Sequence, residues 1–427
     1  MKEFDKVIGY ASIKKELIQI SDVLANSEAY QKLGVVSPRG LLLYGDPGVG
    51  KTLMATSLIN ASGRKAFICR KDKPNGDFIK EIKKTFKDAV DEAPSIVFLD
   101  DMDKFSNGDE GHRDAEEYVT VQSCIDEVKN KEVFVLATAN RLRVLPRSLL
   151  RAGRFDRMIQ VNNPRGADAV KIIEHYIRSK KFVGDMDAVT VARIMDGRSC
   201  AELETVINEA GLYAGFERSC EITMDHFMRA CLHSIHDVPN EVLNESSFTT
   251  DLTNSKDPRT RIIYHEAGHA AISEALNPGS VTLISAYSRD GESGGFTSYY
   301  RSGFADTVNL HHVQILSSLG GVAALEQKFG TTDMGSSRDL DQAFNMVRNM
   351  ITENCAAGFY LHCNDYGDSQ ELKAKQEQAT AAEIERYYRK AKELLAVNNA
   401  LFEGIAKELS VKGVLTAADI RQIRDTL

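Results

Sequence analysis

Two histidines four residues apart flank a glutamate between residues 264 and 269, where the sequence reads YHEAGH. Apolar residues around it recur with helical spacing, so both imidazoles, of His265 and His269, face one side of a predicted helix. Two neutral imidazoles and one further protein ligand suit a catalytic Zn²⁺ that also holds water, and Glu266 is placed to take that water's proton. We therefore predict one zinc ion per chain; the alternative is two helical histidines in a polar patch.

The third zinc ligand must come from elsewhere in the chain. Asp339 opens a predicted helix, so its carboxylate would lie in the first turn, where the helix dipole favours an anion. Asp333 and Asp341 are competing candidates, and Asp339 could also serve only as a helix cap. The pair His311-His312 lacks ligand spacing and is predicted to lie at the surface.

A second motif, GDPGVGKT at residues 45–52, fits GxxxxGK[ST] between a predicted strand and a predicted helix. In such a loop backbone N–H groups surround phosphates, Lys51 reaches the β/γ oxygens and the Thr52 hydroxyl is offered to Mg²⁺. The alternative, a glycine-rich turn with a solvated lysine, does not require the flanking strand and helix. The predicted nucleotide contacts of this segment are Gly45, Asp46, Pro47, Gly48, Val49, Gly50, Lys51, Thr52 and Leu53.

Two acids follow the apolar run at 96–99, which is predicted to be a buried strand. Asp100 is expected to hold Mg²⁺ and Asp101 to polarise the attacking water, which Asn140, just beyond the next strand, could orient. Arg151 and Arg154 are placed to reach a γ-phosphate, although spacing alone also allows surface salt bridges.

The elements that must position these motifs differ along the chain. From residue 40 to 150, short apolar runs at 40–44, 96–99 and 133–137 alternate with helix-length segments, which is typical of a parallel sheet with crossover helices. Helical patterns follow at 167–180, 200–216 and 224–236. The later part is mostly helical, with patterns at 260–276, 305–328, 338–352 and 372–408 and an extended segment at 280–287 and 294–300.

These patterns predict an α/β nucleotide-binding part at 1–165, a helical lid at 166–238, a linker at 239–258 and a mainly helical metal-binding domain at 259–427. The chain has 427 residues, which suits two or three domains. Lys and Arg total 53 against 61 Asp and Glu, and the net charge of −8 disfavours nucleic acid or an anionic membrane as the main partner.

Neither a membrane-length apolar run nor a signal peptide is present in the sequence as given, so we expect a soluble, cytoplasmic chain. Seven cysteines without a CxxC pair indicate reduced thiols rather than a disulfide framework.

The order of these motifs resembles the FtsH family of AAA+ zinc metalloproteases from about Phe4 to the C-terminus. The matching stretches are VIGYASIKKEL at 7–17, GDPGVGKT at 45–52, ATAN at 137–140, LLRAGRFDR at 149–157, INEAGLYA at 207–214, YHEAGHA at 264–270 and SSRDLDQA at 336–343. The resemblance implies an AAA+ ATPase module with a helical lid, followed by a helical HExxH metalloprotease domain.

It further implies an ATP-dependent zinc endopeptidase that works as a homohexamer and threads unfolded or tagged proteins toward its zinc sites. By resemblance Ile8 and Gly9 belong to the adenine pocket, Asn140 is the sensor, and Arg151 and Arg154 act on a neighbouring subunit's ATP. His265, His269 and Asp339 become the zinc ligands, with Glu266 as the catalytic base. The segment GGFT at 294–297 resembles an edge strand that pairs with extended substrate.

Four departures from the family pattern qualify this expectation. The chain starts at the ATPase without transmembrane segments, so it is either a soluble relative or a fragment of a membrane-attached protein. Asp101 stands where the family has glutamate, which predicts slow hydrolysis. Between residues 69 and 78 the pore loop has only Phe78 as an aromatic candidate, and Asp126-Glu127-Val128 stands in place of Asp-Gly-Phe.

Two functions are alternatives to the ATP-dependent endopeptidase. They are a nucleotide-organised ring with weak remodelling activity and an ATP-independent peptidase with a vestigial ATPase.

Overall fold

The computed structural model describes residues 2–72, 75–106, 115–151, 153–180, 186–243, 248–287, 294–300, 307–356, 358–362 and 369–427. The chain divides into two compact units, Met1–Thr223 and Met224–Leu427. The helix at 224–236, which we assigned to the lid, is grouped with the second unit. The predicted domain boundaries remain predictions.

The first unit is built on a five-stranded parallel sheet. Its strands are β1 (Gly40–Tyr44), β2 (Lys65–Cys69), β3 (Ser95–Leu99), β4 (Val133–Ala139) and β5 (Arg157–Gln160), in the order β2-β3-β4-β1-β5. The central strands β3 and β4 are fully buried, as their continuous apolar sequences predict. Because parallel strands end at one edge of the sheet, the segments after β1, β3 and β4 are brought together there.

Among its described residues this unit also has eight α-helices: α1 (Ala11–Ala25), α2 (Ser27–Gln31), α3 (Lys51–Ser62), α4 (Asn75–Asp91), α5 (Glu116–Glu127), α6 (Gly166–Arg178), α7 (Ala188–Ile194) and α8 (Cys200–Phe216). Helix α3 begins at Lys51, within the phosphate-loop motif, so Lys51 and Thr52 lie in its first turn. Helix α8 starts with a capping box in which Ser199 and Glu202 satisfy each other's backbone N–H groups. The predicted α/β module with an accompanying helical set is confirmed.

The second unit is mainly helical. Its helices are α9 (Met224–His236), α10 (Asn240–Leu243), α11 (Pro258–Leu276), α12 (Val308–Phe329), α13 (Ser337–Thr352), α14 (Gln370–Val397), α15 (Asn399–Lys412) and α16 (Ala417–Asp425). A small antiparallel sheet has the order β7-β6-β8, with β6 (Val281–Ser285), β7 (Phe296–Tyr299) and β8 (Val414–Thr416).

Helices α11 and α12 approach each other closely through facing glycines. A Cβ atom on Gly268 would lie 2.5 Å from the Gly320 carbonyl oxygen, and one on Gly320 would lie 2.7 Å from the Gly268 carbonyl oxygen. Only glycine fits at such a crossing. The predicted metal-binding helix, α11, therefore packs with its backbone directly against that of α12.

Two sequence predictions in this unit are wrong. The single helical pattern predicted at 372–408 is divided at Asn398, where α14 ends and α15 begins. The pair His311-His312 is half-buried rather than at the surface, and the His312 ring contacts the Tyr387 hydroxyl.

In the parts of the chain that the structure describes, no helix is both long and apolar enough to cross a membrane.

Candidate functional site

The two histidines of α11 and one carboxylate of α13 converge on a single point. His265 Nε2 lies 2.9 Å from His269 Nε2 and 3.1 Å from Asp339 Oδ2, and His269 Nε2 lies 3.5 Å from the same oxygen. Ligand atoms of a tetrahedral zinc ion, with bonds of about 2.0–2.1 Å, are separated by about 3.3 Å. The three atoms therefore already have nearly the spacing that Zn²⁺ requires, and the residues fit the ion.

Of the three candidate carboxylates, Asp339 is the one that the structure brings to the histidines. It lies in the first turn of α13, as predicted. Asp333 instead forms a two-oxygen ion pair with Arg261, at 2.6 Å from Nη2, and Asp341 is exposed two residues further along α13. The geometry thus distinguishes candidates that sequence spacing left open.

The orientation of each imidazole is fixed by groups on α12 that the sequence did not point to. His269 Nδ1 lies 2.6 Å from the Ser317 carbonyl oxygen and donates to it, so Nε2 is the ring nitrogen that faces the cluster. The His265 ring packs on Gly321, where a Cβ atom would come within 2.4 Å of it. Gly321 therefore leaves room for the His265 ring.

The surroundings of the cluster favour a protonated His269 and an ionised Asp339. Burial lowers the pKa of His269, but its hydrogen bond and proximity to the Asp339 carboxylate outweigh burial and raise that pKa to about 9. Burial acts to raise the pKa of Asp339, and the hydrogen bonds with His265 and His269 hold it well below its usual range. An ionised carboxylate at this point is the anionic ligand that a divalent metal needs.

Glu266 lies beside the cluster and is bonded to the neighbouring sheet. Its side chain is 5% exposed, and Thr297 Oγ1 of β7 donates to its Oε2 at 2.7 Å. Strand β7 has β6 as its one neighbour in the described part of the sheet, so Phe296 and Thr297 of the predicted segment 294–297 lie in an edge strand, and the pairing of this segment with substrate stays a prediction. A cleft of about 540 Å³ contains the cluster, Glu266 and this edge.

The phosphate-loop motif forms the predicted turn between β1 and α3. Gly45, Gly48 and Gly50 all have positive φ, at 148°, 79° and 92°. Lys51 Nζ donates to the carbonyls of Gly45 and Asp46 and to Asn140 Oδ1, each at 2.8 Å. The lysine predicted to bind the β/γ-phosphates and the predicted sensor thus meet directly at the carboxyl edge of the sheet.

A cavity of about 610 Å³ lies beside this loop, and Ile8 and Leu53 line it. Gly9 follows Ile8 with φ of 69°, and a Cβ atom there would meet Asp168 at 3.2 Å. The cavity, the glycine-rich loop and the lysine fit a nucleoside phosphate.

Hydroxyl and basic side chains surround the acid pair after β3. Asp100 Oδ1 accepts from Thr138 Oγ1 at 2.7 Å and from Thr52 Oγ1 at 3.2 Å, which places the predicted Mg²⁺ acid beside the predicted Mg²⁺ hydroxyl. Asp100 Oδ2 forms an ion pair with Arg70, and Asp101 Oδ2 accepts from Lys104 at 2.7 Å.

Three of these partners, Thr138, Arg70 and Lys104, were missed from the sequence. A hydroxyl inside the buried apolar strand before Asn140 was a readable signal for Thr138. Nothing in the spacing pointed to the two basic residues.

The two predicted arginine fingers differ in their surroundings. Arg154 is half-buried, and its Nη2 lies 2.7 Å from Asp126 Oδ2 while its Nη1 donates to the Ser148 carbonyl. That pairing, together with the hydrogen bond from Lys129, lowers the pKa of Asp126 to about 2. Arg151 is exposed, and among the described residues neither arginine lines the cavity beside the phosphate loop of its own chain.

Phe78 cannot serve as the aromatic residue of a pore loop. It is fully buried in α4 and packs edge-on against Phe105 with ring centroids 4.8 Å apart. Lys71, in the same stretch, donates to the Phe105 carbonyl at 2.7 Å. Lys73 lies outside the described residues.

Comparison with known proteins matches both halves of the chain. Residues 41–163 match the ATPase family associated with various cellular activities (AAA), and residues 252–423 match peptidase family M41. ATP-dependent zinc metalloprotease FtsH of Synechococcus sp. is 30% identical over 99% of this chain and 70% of its own length.

Two further relatives are 29% identical over 99% of the chain. They are ATP-dependent zinc metalloprotease FtsH 2 of Phytoplasma mali and ATP-dependent zinc metalloprotease FtsH of Mycoplasma pneumoniae. The chain spans 63% and 62% of their respective lengths.

Proposed function

Since the chain belongs to the FtsH family of ATP-dependent zinc metalloproteases, we propose that it is an ATP-dependent zinc endopeptidase that unfolds and degrades protein substrates. The observation that carries this proposal is the convergence of His265, His269 and Asp339 beside a glutamate that is bonded to an edge strand. Zn²⁺, ATP and Mg²⁺ are the proposed cofactors.

In the protease site each group has a proposed role. His265, His269 and Asp339 would hold the zinc ion, which would supply Lewis acidity for activation of water and polarisation of the scissile carbonyl. Glu266 would accept a proton from the attacking water as the water oxygen bonds to the scissile carbonyl carbon, and would donate that proton to the amine nitrogen as the C–N bond breaks. The edge of β7 that faces away from β6 would align an extended peptide by backbone hydrogen bonds, beside Glu266.

In the ATPase site we propose that residues 45–53 bind the phosphates, with Lys51 on the β/γ oxygens and Thr52 and Asp100 holding Mg²⁺. Ile8 and Gly9 contact the base, while Asp101 and Asn140 position the attacking water. The protein assembles as a homohexamer in which Arg151 and Arg154 act on the ATP of the neighbouring subunit.

The test is digestion of an unstructured protein and a short peptide with ATP, with a non-hydrolysable analogue and with a zinc chelator. We expect cleavage of the protein only with ATP, and loss of both cleavages with the chelator. Glu266→Gln should retain zinc and cleave neither substrate. Cleavage of the protein that is equal with and without ATP would overturn the ATP dependence, and cleavage that persists without zinc would overturn the protease assignment.

A further inference from the structure

Both acids at the end of β3 are neutralised by basic side chains of the same chain. Arg70, the residue after β2, pairs with Asp100 Oδ2, and Lys104 lies 2.7 Å from Asp101 Oδ2. The other oxygen of Asp100 is occupied by the hydroxyls of Thr138 and Thr52. Asp100, the acid assigned to Mg²⁺, therefore has both carboxylate oxygens engaged.

The burial of the two partners of this ion pair is very unequal. The Asp100 side chain is 2% exposed, whereas that of Arg70 is 61% exposed. A buried carboxylate requires a counter-charge, because desolvation without one is costly. The guanidinium reaches in from solvent on a long flexible side chain, while Cys69, the residue before it, is fixed in the sheet and fully buried. The cation can leave without any change in the sheet.

We propose that Arg70 occupies Asp100 Oδ2, the oxygen that the two threonine hydroxyls leave for Mg²⁺. A Mg²⁺–nucleotide complex then binds only after Arg70 is displaced. Arg70 is thus a positioning residue that sets how strongly nucleotide binding depends on Mg²⁺. This inference rests on the proposed ATPase function of the site.

The ion pair of Arg70 with Asp100 has opposite effects on nucleotide affinity in the absence and in the presence of Mg²⁺. Without Mg²⁺, the positive charges of Arg70 and Lys104 offset the acid pair and reduce its repulsion of phosphate. With Mg²⁺, the same guanidinium competes with the metal. If Asp100 is free of Arg70 for one tenth of the time, its apparent affinity for Mg²⁺ is about tenfold below the intrinsic value. Removal of Arg70 should therefore weaken binding in EDTA and lower the Mg²⁺ concentration needed for tight binding.

The experiment titrates the full chain with a fluorescent ADP, in EDTA and over a series of Mg²⁺ concentrations. It compares the wild type with Arg70→Ala and with Lys65→Ala as the matched control, since Lys65 lies at the other end of β2 and pairs with exposed Glu92. We expect half of the Mg²⁺-dependent gain in ADP affinity to occur at an about tenfold lower Mg²⁺ concentration in Arg70→Ala than in the wild type. In EDTA, Arg70→Ala should bind the fluorescent ADP more weakly than the wild type. Lys65→Ala should match the wild type.

An unchanged or higher Mg²⁺ requirement in Arg70→Ala would overturn the proposal. If Arg70→Ala does not fold, Arg70→Gln removes the charge while keeping a long polar side chain, and the same comparison decides. Wild-type protein that binds the fluorescent ADP in neither condition would instead refute the proposed ATPase function, so the two failures are distinguishable.

Discussion

Thr297 of the edge strand β7 donates its hydroxyl proton to Glu266 Oε2 at 2.7 Å. Gly295, just before that strand, permits the contact, because a Cβ atom there would lie 2.9 Å from Glu266 Cγ. The proposed base and the strand proposed to align substrate are therefore held together by one side chain. This hydrogen bond orients the carboxylate through Oε2, and Oε1 is the oxygen proposed to accept a proton from the attacking water.

Thr297→Val should lower the rate of peptide cleavage about tenfold, because loss of one hydrogen bond to a charged group costs about 1.5–3 kcal/mol and leaves the carboxylate less well oriented. Zinc content should not change. Thr282→Val on the adjacent strand β6 is the matched control, since its hydroxyl donates to the Ser298 carbonyl at 3.2 Å. Equal rates for both variants would contradict the role of Thr297.

Asp339→Asn should reduce zinc affinity at least about tenfold, because an anionic ligand becomes a neutral amide. Asp341→Asn makes the same chemical change on an exposed position of the same helix and should keep full zinc content. Metal analysis after dialysis against a weak chelator measures both. Loss of zinc in Asp341→Asn with retention in Asp339→Asn would reverse the ligand assignment.

Gly321→Ala should disturb the zinc site without touching a ligand. The added Cβ atom would lie 2.4 Å from the His265 ring, which must then rotate away from the ligand position. We expect zinc affinity to fall about 10- to 100-fold, as for other changes that displace a metal ligand. Gly335→Ala is the control, because a Cβ atom there has no neighbour within 4 Å. Unchanged zinc affinity in Gly321→Ala would show that the helices adjust.

The central strands and the motif-bearing helices were predictable because their signals are local. Strands β1, β3 and β4 are continuous apolar runs, and α11 carries its ligands at helical spacing. Edge strands β2 and β5 were missed, since each is partly exposed and mixes polar with apolar residues. The position of Asp339 relative to the histidines depends on the packing of α13, which no local pattern encodes.

The partners of the acid pair illustrate the same limit. Arg70 precedes Asp100 by thirty residues, and their ion pair arises because β2 and β3 are parallel neighbours. Phe78 was offered as a pore residue because it is aromatic, but its place on the buried face of α4 is decided by Phe105. Long-range pairing of this kind cannot be read from residue spacing.

Asp101→Glu should raise the ATPase rate, because the longer side chain extends the carboxylate toward the attacking water by about one methylene, and general-base catalysis requires hydrogen-bond distance. In the structure Asp101 Oδ2 is instead paired with Lys104 at 2.7 Å. Steady-state hydrolysis at saturating ATP measures the effect, with nucleotide affinity as the control that should not change. An unchanged or lower rate would mean that the site is already adapted to aspartate.

Arg154 donates hydrogen bonds to Asp126 and to the Ser148 carbonyl of the same chain, and these bonds fix the direction of its guanidinium. If it acts on the neighbouring subunit's ATP, as proposed, it contributes nothing to its own site. Lys51→Ala should abolish nucleotide binding while keeping both arginines, and Arg154→Ala should bind ATP but supply no Arg154. Each variant alone should be nearly inactive, because an arginine supplied in trans can contribute about 10³-fold or more to hydrolysis.

A mixture of Lys51→Ala and Arg154→Ala protein should therefore recover part of the wild-type ATPase rate, since some interfaces pair an intact site with an intact arginine. Lys129→Ala mixed with Lys51→Ala is the matched control, because Lys129 also pairs with Asp126 but is not a proposed finger; that mixture should gain nothing beyond the Lys129→Ala rate. Subunit exchange is measured in parallel by fluorescence transfer between labelled chains. A silent mixture despite exchange, or full activity in a protein that light scattering finds monomeric, would refute the assignment of Arg154 to the neighbouring site.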